Sequence, residues 1–188
     1  MCDQHYEADL DGYLRSTGMT RRRFGALGVA MGLMAVLPRA ANALDVSESD
    51  VEVRTPDGVA DCYFVHPASG AYAGVLVWPD ALGLRPAFRR MGRRLAESGY
   101  AVLVVNPYYR QQRAPVIPDG ATFAEQSTRD VVMPLYQSLD ARTHVTDAKA
   151  FVAWLDAQAP VDSRRKLGTM GYCMGGPITM RTAAALPE

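Results

Sequence analysis

The chain has 188 residues, enough for one domain with a real core and too few for two of ordinary size. Hydrophobic residues make up 48% and charged residues 21%, a globular balance rather than a disordered one. Lys plus Arg and Asp plus Glu each number 20, so the basic excess expected of a nucleic-acid binder is missing.

The first 43 residues read as an address. Thr20-Arg21-Arg22-Arg23-Phe24 fits the twin-arginine export pattern. The apolar run from Gly25 to Leu37 is 13 residues long, short for a bilayer span but right for a signal core. Pro38 ends it, and Ala41-Asn42-Ala43 offers small residues to a signal peptidase. Cleavage is expected after Ala43, with the Tat translocase as the partner during export and a periplasmic or extracellular destination. The plainer alternative is a basic, apolar anchor that stays attached. The mature domain would run from residue 44 to 188 with no stable membrane span.

In that domain, Val51–Thr55 and Val59–His66 read as strands joined through Pro56-Asp57-Gly58 into a hairpin. Gly74–Trp78 is a continuous apolar run, as suits a strand buried on both faces. Pro86–Ser98 is expected to be helical, with Phe88, Met91, Gly92 and Leu95 on the apolar face. Arg85, Arg89, Arg90, Arg93 and Arg94 read as its solvated face. Ala101–Val105 is a second buried strand, and residues 106–122 read as a long surface loop. Asp140–Ala157 is helical with Val145, Ala148, Val152 and Leu155 as its stripe. Lys166–Met170 is a short strand, 171–176 a turn, and Pro177–Leu186 a helix opening on proline. Alternating strand and helix implies an α/β, mostly parallel, doubly wound sheet.

Gly171-Tyr172-Cys173-Met174-Gly175-Gly176 carries the chemistry. A glycine–x–nucleophile–x–glycine turn between strand and helix is a nucleophile elbow. The turn is too tight for bulky side chains two residues either side of the tip, hence Gly171 and Gly175. The helix N-terminus behind Cys173 favours negative charge, and so a thiolate and an oxyanion. The Met174 N–H would supply half of an oxyanion hole. The bland reading is a glycine turn around a buried structural cysteine. The strand 74–78 ends in Pro79-Asp80-Ala81-Leu82-Gly83, a loop placed to supply the other oxyanion N–H.

The Cys elbow G-Y-C-M-G-G, the loop P-D-A-L-G-L and the strand end V-V-N-P-Y-Y-R-Q together resemble the dienelactone hydrolase family, within the α/β-hydrolase fold. The resemblance runs from about Val51 to Ala185. It implies a cysteine acyl-enzyme acting on small esters or lactones, without metal or cofactor. It makes Cys173 the nucleophile, Met174 and Ala81 the oxyanion donors, Asp80 the acid that gates the thiol, and Arg110 a grip on a substrate carboxylate. Asp80 stands where the family typically has Glu, one methylene longer.

The family also requires an acid and then a histidine after the nucleophile. No histidine follows Cys173. His66 and His144 precede it and read as ordinary polar positions rather than bases. The expectation is therefore a chain lacking the last strands of the fold, a weak or inactive hydrolase with an exposed sheet edge. The alternatives are a catalytically inactive binding protein that kept the fold and, from another class, a redox protein pairing Cys62 with Cys173.

Overall fold

The computed structural model describes residues 43–186, and the export signal lies outside them. Leu44 opens one compact unit that takes in the described residues after it. Strands β1 (Val46–Thr55) and β2 (Gly58–Pro67) form the expected hairpin. Its two-residue turn, Pro56-Asp57, is closed by the Thr55–Gly58 pair, and Gly58 takes a φ of 143° there. β3 (Gly74–Trp78) leads to helix α1 (Pro86–Glu97), then β4 (Ala101–Val105). Helices α2 (Gln126–Gln137) and α3 (Ala141–Asp156) follow, then β5 (Gly168–Gly171) and helix α4 (Gly175–Ala185).

The sheet order is β1-β2-β4-β3-β5. β3 runs parallel to β4 and to β5, whereas β2 is antiparallel to β1 and to β4. The sheet is therefore mixed: a three-stranded parallel block with an antiparallel hairpin on one side.

Side-chain alternation divides the core between two faces. Val75, Val77, Val102 and Val104 pack with Phe88 and Ala96 of α1. Leu76, Trp78, Leu103 and Val105 pack with Phe151 and Leu155 of α3 and Ile178 of α4. Both faces are covered, which is why β3 and β4 are apolar at every position. Gly92 lets α1 lie close to the sheet, since a Cβ there would sit 2.9 Å from a Val104 methyl. A capping box starts α3: the Thr143 N–H donates to the Asp140 carboxylate at 2.7 Å, and the Asp140 N–H donates to the Thr143 hydroxyl at 2.9 Å.

Two expectations need correction. The α1 arginines are not simply a solvated face. Arg93 pairs with Glu48, Arg89 with Asp50, and Arg85 with Asp80. Alternation on β1 aims Glu48, Asp50 and Glu52 to one side, where Arg113 takes Glu52. The expected loop over residues 106–122 is present, and beyond it lies a helix the sequence did not announce, α2, with Pro134 inside it. The buried face of α3 runs through His144, Asp147, Ala148, Phe151 and Leu155 instead of through Val145 and Val152.

Candidate active site

β5 ends at Gly171, α4 begins at Gly175, and Cys173 stands between them. It is the only non-glycine residue with positive φ among the described residues, at 51°. That conformation costs a side-chain-bearing residue on the order of 1 kcal/mol or more, so the surrounding turn must enforce it. The Gly175 N–H donates to the Tyr172 carbonyl at 2.8 Å and the Gly176 N–H to the Cys173 carbonyl at 3.0 Å. The Tyr172 N–H reaches the Trp78 carbonyl on the neighbouring strand at 3.3 Å. A Cβ on Gly171 would lie 2.1 Å from the Gly175 carbonyl oxygen and 2.5 Å from the Thr179 hydroxyl. One on Gly175 would lie 2.3 Å from the Trp78 oxygen. Gly176, by contrast, faces open space. The outcome is an exposed Cys173 thiol at the carboxyl edge of the parallel strands.

Cys62 has the opposite setting. It is buried in β2, and burial pushes its thiol pKa far up, so it is not a nucleophile at working pH. Both cysteines are free. Three strand spacings of about 4.8 Å separate β2 from β5, roughly twice the Cα separation a disulfide tolerates. The Cys62–Cys173 redox pair is thereby excluded.

The loop after β3 lies beside the elbow. The Gly83 N–H donates to the Asp80 carbonyl at 2.9 Å, which fixes the peptide carrying the Ala81 N–H. The Asp80 carboxylate accepts from the Leu82 N–H at 2.9 Å and takes both ends of the Arg85 guanidinium, at 2.7 and 2.9 Å. Asp80 thus organises its own loop and is held by Arg85. The N–H groups of Ala81 and Met174 have no acceptor among the described residues.

Tyr108 was not singled out from the sequence, yet it lies between these parts. Its hydroxyl donates to the Ala81 carbonyl at 2.9 Å and lies 3.1 Å from Met174 Sδ. Burial, then the charges of Asp80 and Cys173, push its pKa up, so it stays a donor.

Arg110 is not presented to Cys173. Its guanidinium donates to Asp147 through two nitrogens, at 2.9 and 2.7 Å, and to Asp57 at 2.7 and 3.1 Å. It also stacks on the Tyr109 ring at 4.6 Å. Asp147 is 98% buried and also accepts from the Tyr109 hydroxyl at 2.8 Å. Burial raises the Asp147 pKa, with Arg110 opposing. With two carboxylates and a ring already on it, Arg110 holds α3 to the hairpin turn rather than offering itself to a substrate.

The two described histidines do not meet Cys173. His66 is the penultimate residue of β2, and the Val65–Val102 pair puts it at the amino edge of the parallel strands, opposite the elbow. Its Nδ1 lies 2.7 Å from the Pro67 carbonyl. His144, buried on α3, faces Arg181 of α4 at 3.3 Å, and its Nε2 has no partner. Burial first, then Arg181, lowers its pKa. Among the described residues no group of three or more His, Cys, Asp or Glu could hold a metal ion.

A cysteine elbow at the carboxyl edge of a wound sheet, with the free Ala81 amide of the neighbouring loop beside it, defines the α/β-hydrolase class. The model of the dienelactone hydrolase family matches residues 60–188, and the chain belongs to that family. A Methylorubrum extorquens protein described as a carboxymethylenebutenolidase is 30% identical over 97% of this chain and 62% of its own length. The carboxymethylenebutenolidase of Rhodococcus opacus is 28% identical over 72% of this chain and 48% of its own. The crystal structure of a Klebsiella pneumoniae protein described as a dienelactone hydrolase superposes with a TM-score of 0.61 at 21% identity, covering 76% of this chain and 56% of that one. This chain thus spans about half to three fifths of the relatives it matches.

Proposed function

We propose that the protein is a thiol hydrolase of small carboxylic esters or lactones, with Cys173 as nucleophile. One observation carries this reading. The single non-glycine position with positive φ among the described residues presents an exposed thiol, between two glycines that leave no room for a side chain. Strain of this kind persists where the surroundings over-determine it, and it clusters at functional sites.

The chemistry is acyl transfer. The Cys173 thiolate attacks the ester carbonyl carbon, and the electron pair moves to oxygen. The N–H groups of Met174 and Ala81 receive that oxyanion. The carbon–oxygen bond to the leaving group then breaks, the alkoxide takes a proton from water, and a thioester remains. Water attacks the thioester, the carbon–sulfur bond breaks, the proton released goes to the hydroxide formed earlier, and the acid leaves as the thiolate returns. Asp80, held by Arg85, shapes the amide loop in this scheme. Relatives carrying the carboxymethylenebutenolidase name favour a lactone or an enol ester as substrate. The twin-arginine pattern at Thr20–Phe24 supports export through the Tat translocase with cleavage after Ala43; N-terminal sequencing of exported protein beginning at Leu44 is the expected result.

The test is p-nitrophenyl acetate with mass spectrometry of the intact protein. An acetyl group on Cys173, lost in Cys173→Ala, is expected; undiminished p-nitrophenolate release by that variant would end the proposal. A second reading, a binding protein that keeps the fold, draws on the absence of any contact between Cys173 and His66 or His144. It predicts no acylation and slow iodoacetamide alkylation of Cys173.

A further inference from the structure

We infer that Tyr108 is a positioning residue that holds the two oxyanion-binding amides, those of Ala81 and Met174, in register with each other. The inference rests on the reading of Cys173 as nucleophile.

The two amides come from different strands. Met174 follows β5 and Ala81 follows β3, and a shift of either loop would separate donors that must converge on one oxygen. Tyr108 is the side chain that touches both. Its hydroxyl donates to the Ala81 carbonyl and rests on Met174 Sδ. The carbonyl belongs to the peptide between Ala81 and Leu82, whose N–H is held by the Asp80 carboxylate. That peptide is fixed at both ends, directly beside the one that carries the Ala81 N–H. Gly83 lies against the Tyr108 ring, where a Cβ would come within 3.4 Å.

Tyr108 is itself fixed from below. Asn106 is fully buried at the end of β4, and its side-chain oxygen accepts from the Tyr108 N–H at 3.0 Å. Its amide nitrogen donates to Asp61 and to the Gln112 carbonyl, both at 2.9 Å. Position thus passes from the central strand through Asn106 and Tyr108 to both halves of the hole.

The test compares two reactions of one thiol in the full chain. Acylation by p-nitrophenyl acetate builds an oxyanion, whereas alkylation by iodoacetamide displaces iodide and builds none. In Tyr108→Phe, acylation at saturating ester is expected to fall about tenfold or more, the scale of a weakened oxyanion contact. Half-saturation and alkylation should stay near wild type. Gly83→Ala, whose methyl would press the Tyr108 ring and the Val116 side chain from a backbone φ of 73°, should give the same split and carries the test if Tyr108→Phe does not fold. If both reactions change by one factor, or neither changes, Tyr108 merely packs and the inference falls. Ester cleavage that persists in Cys173→Ala would instead overturn the nucleophile reading beneath it.

Discussion

Gly171 and Gly175 face each other across the turn that carries Cys173, so closely that a methyl on the first would fall 2.1 Å from the carbonyl oxygen of the second. Neither neighbour can yield, because the contacts are with backbone. Gly171→Ala and Gly175→Ala should each destabilise the fold by about 3 kcal/mol, at the upper end of overpacking costs. Gly176→Ala is the control. It meets nothing, sits inside α4, and should be neutral or gain about 0.5 kcal/mol. Urea unfolding of the three variants checks the contrast, and equal losses in all three would contradict it.

Cys173 itself carries strain, and strain can be released. Cys173→Ala keeps a Cβ at φ 51°, whereas Cys173→Gly removes it. The glycine variant should be more stable than the alanine variant by about 1 kcal/mol. Both should lose acylation of residue 173. Comparison of their thermal midpoints reads the strain directly; a glycine variant no more stable than alanine would mean that the backbone is not under load.

The sequence showed the parallel strands and the elbow because both follow local rules. β3 and β4 are unbroken apolar runs, and the turn around Cys173 needs its glycines whatever surrounds it. Helix α2 was not legible: Pro134 interrupts it, and the exposed Val131 and Tyr136 blur the spacing of its short buried face of Thr128, Val132 and Leu135. The polar partners were hidden for another reason. Arg85 meets Asp80 within one loop, but Arg110 finds Asp147 37 residues on and Asp57 53 residues back. Sequence spacing says nothing about such pairs. Tyr108 stood inside a recognised stretch, V-V-N-P-Y-Y-R-Q, but which of its two tyrosines reaches the amide loop depends on how Asn106 turns the chain.

The Arg110–Asp147 pair sets a pH-dependent stability. Asp147 is buried, and Arg110 is its counter-charge. Removing one partner of a buried pair costs about 3 kcal/mol, because the other charge is left stranded. Arg110→Met should show that loss near neutral pH. The folded-state pKa of Asp147 is raised, so its protonated form favours folding, and stability falls as pH rises through that pKa. Without Arg110 the pKa rises further and the fall grows larger. The difference between variant and wild type should therefore shrink as pH is lowered into the carboxylate range. Urea midpoints from acid to neutral pH measure it, and a difference that does not vary with pH would contradict the stranded charge.

His144 gives a dependence of opposite sign. Its folded-state pKa is lowered, by burial first and then by Arg181 on α4; Arg110 adds to this, while the Asp140 cap opposes. Protonation therefore favours the unfolded chain. The stability owed to neutral His144 is complete above about pH 6.5, the ordinary imidazole value. It is lost as pH falls from there through the lowered pKa, with a slope of at most about 1.4 kcal/mol per pH unit. His144→Leu keeps the volume among buried neighbours and removes a ring nitrogen that has no partner. Its stability should fall less steeply with pH in that window, and at neutral pH it should match or exceed wild type. Denaturant midpoints of the two proteins between pH 7 and 5 decide the matter: curves that stay parallel would place the titration elsewhere, and a variant that is markedly weaker at pH 7 would mean that the imidazole makes a bond that leucine cannot replace.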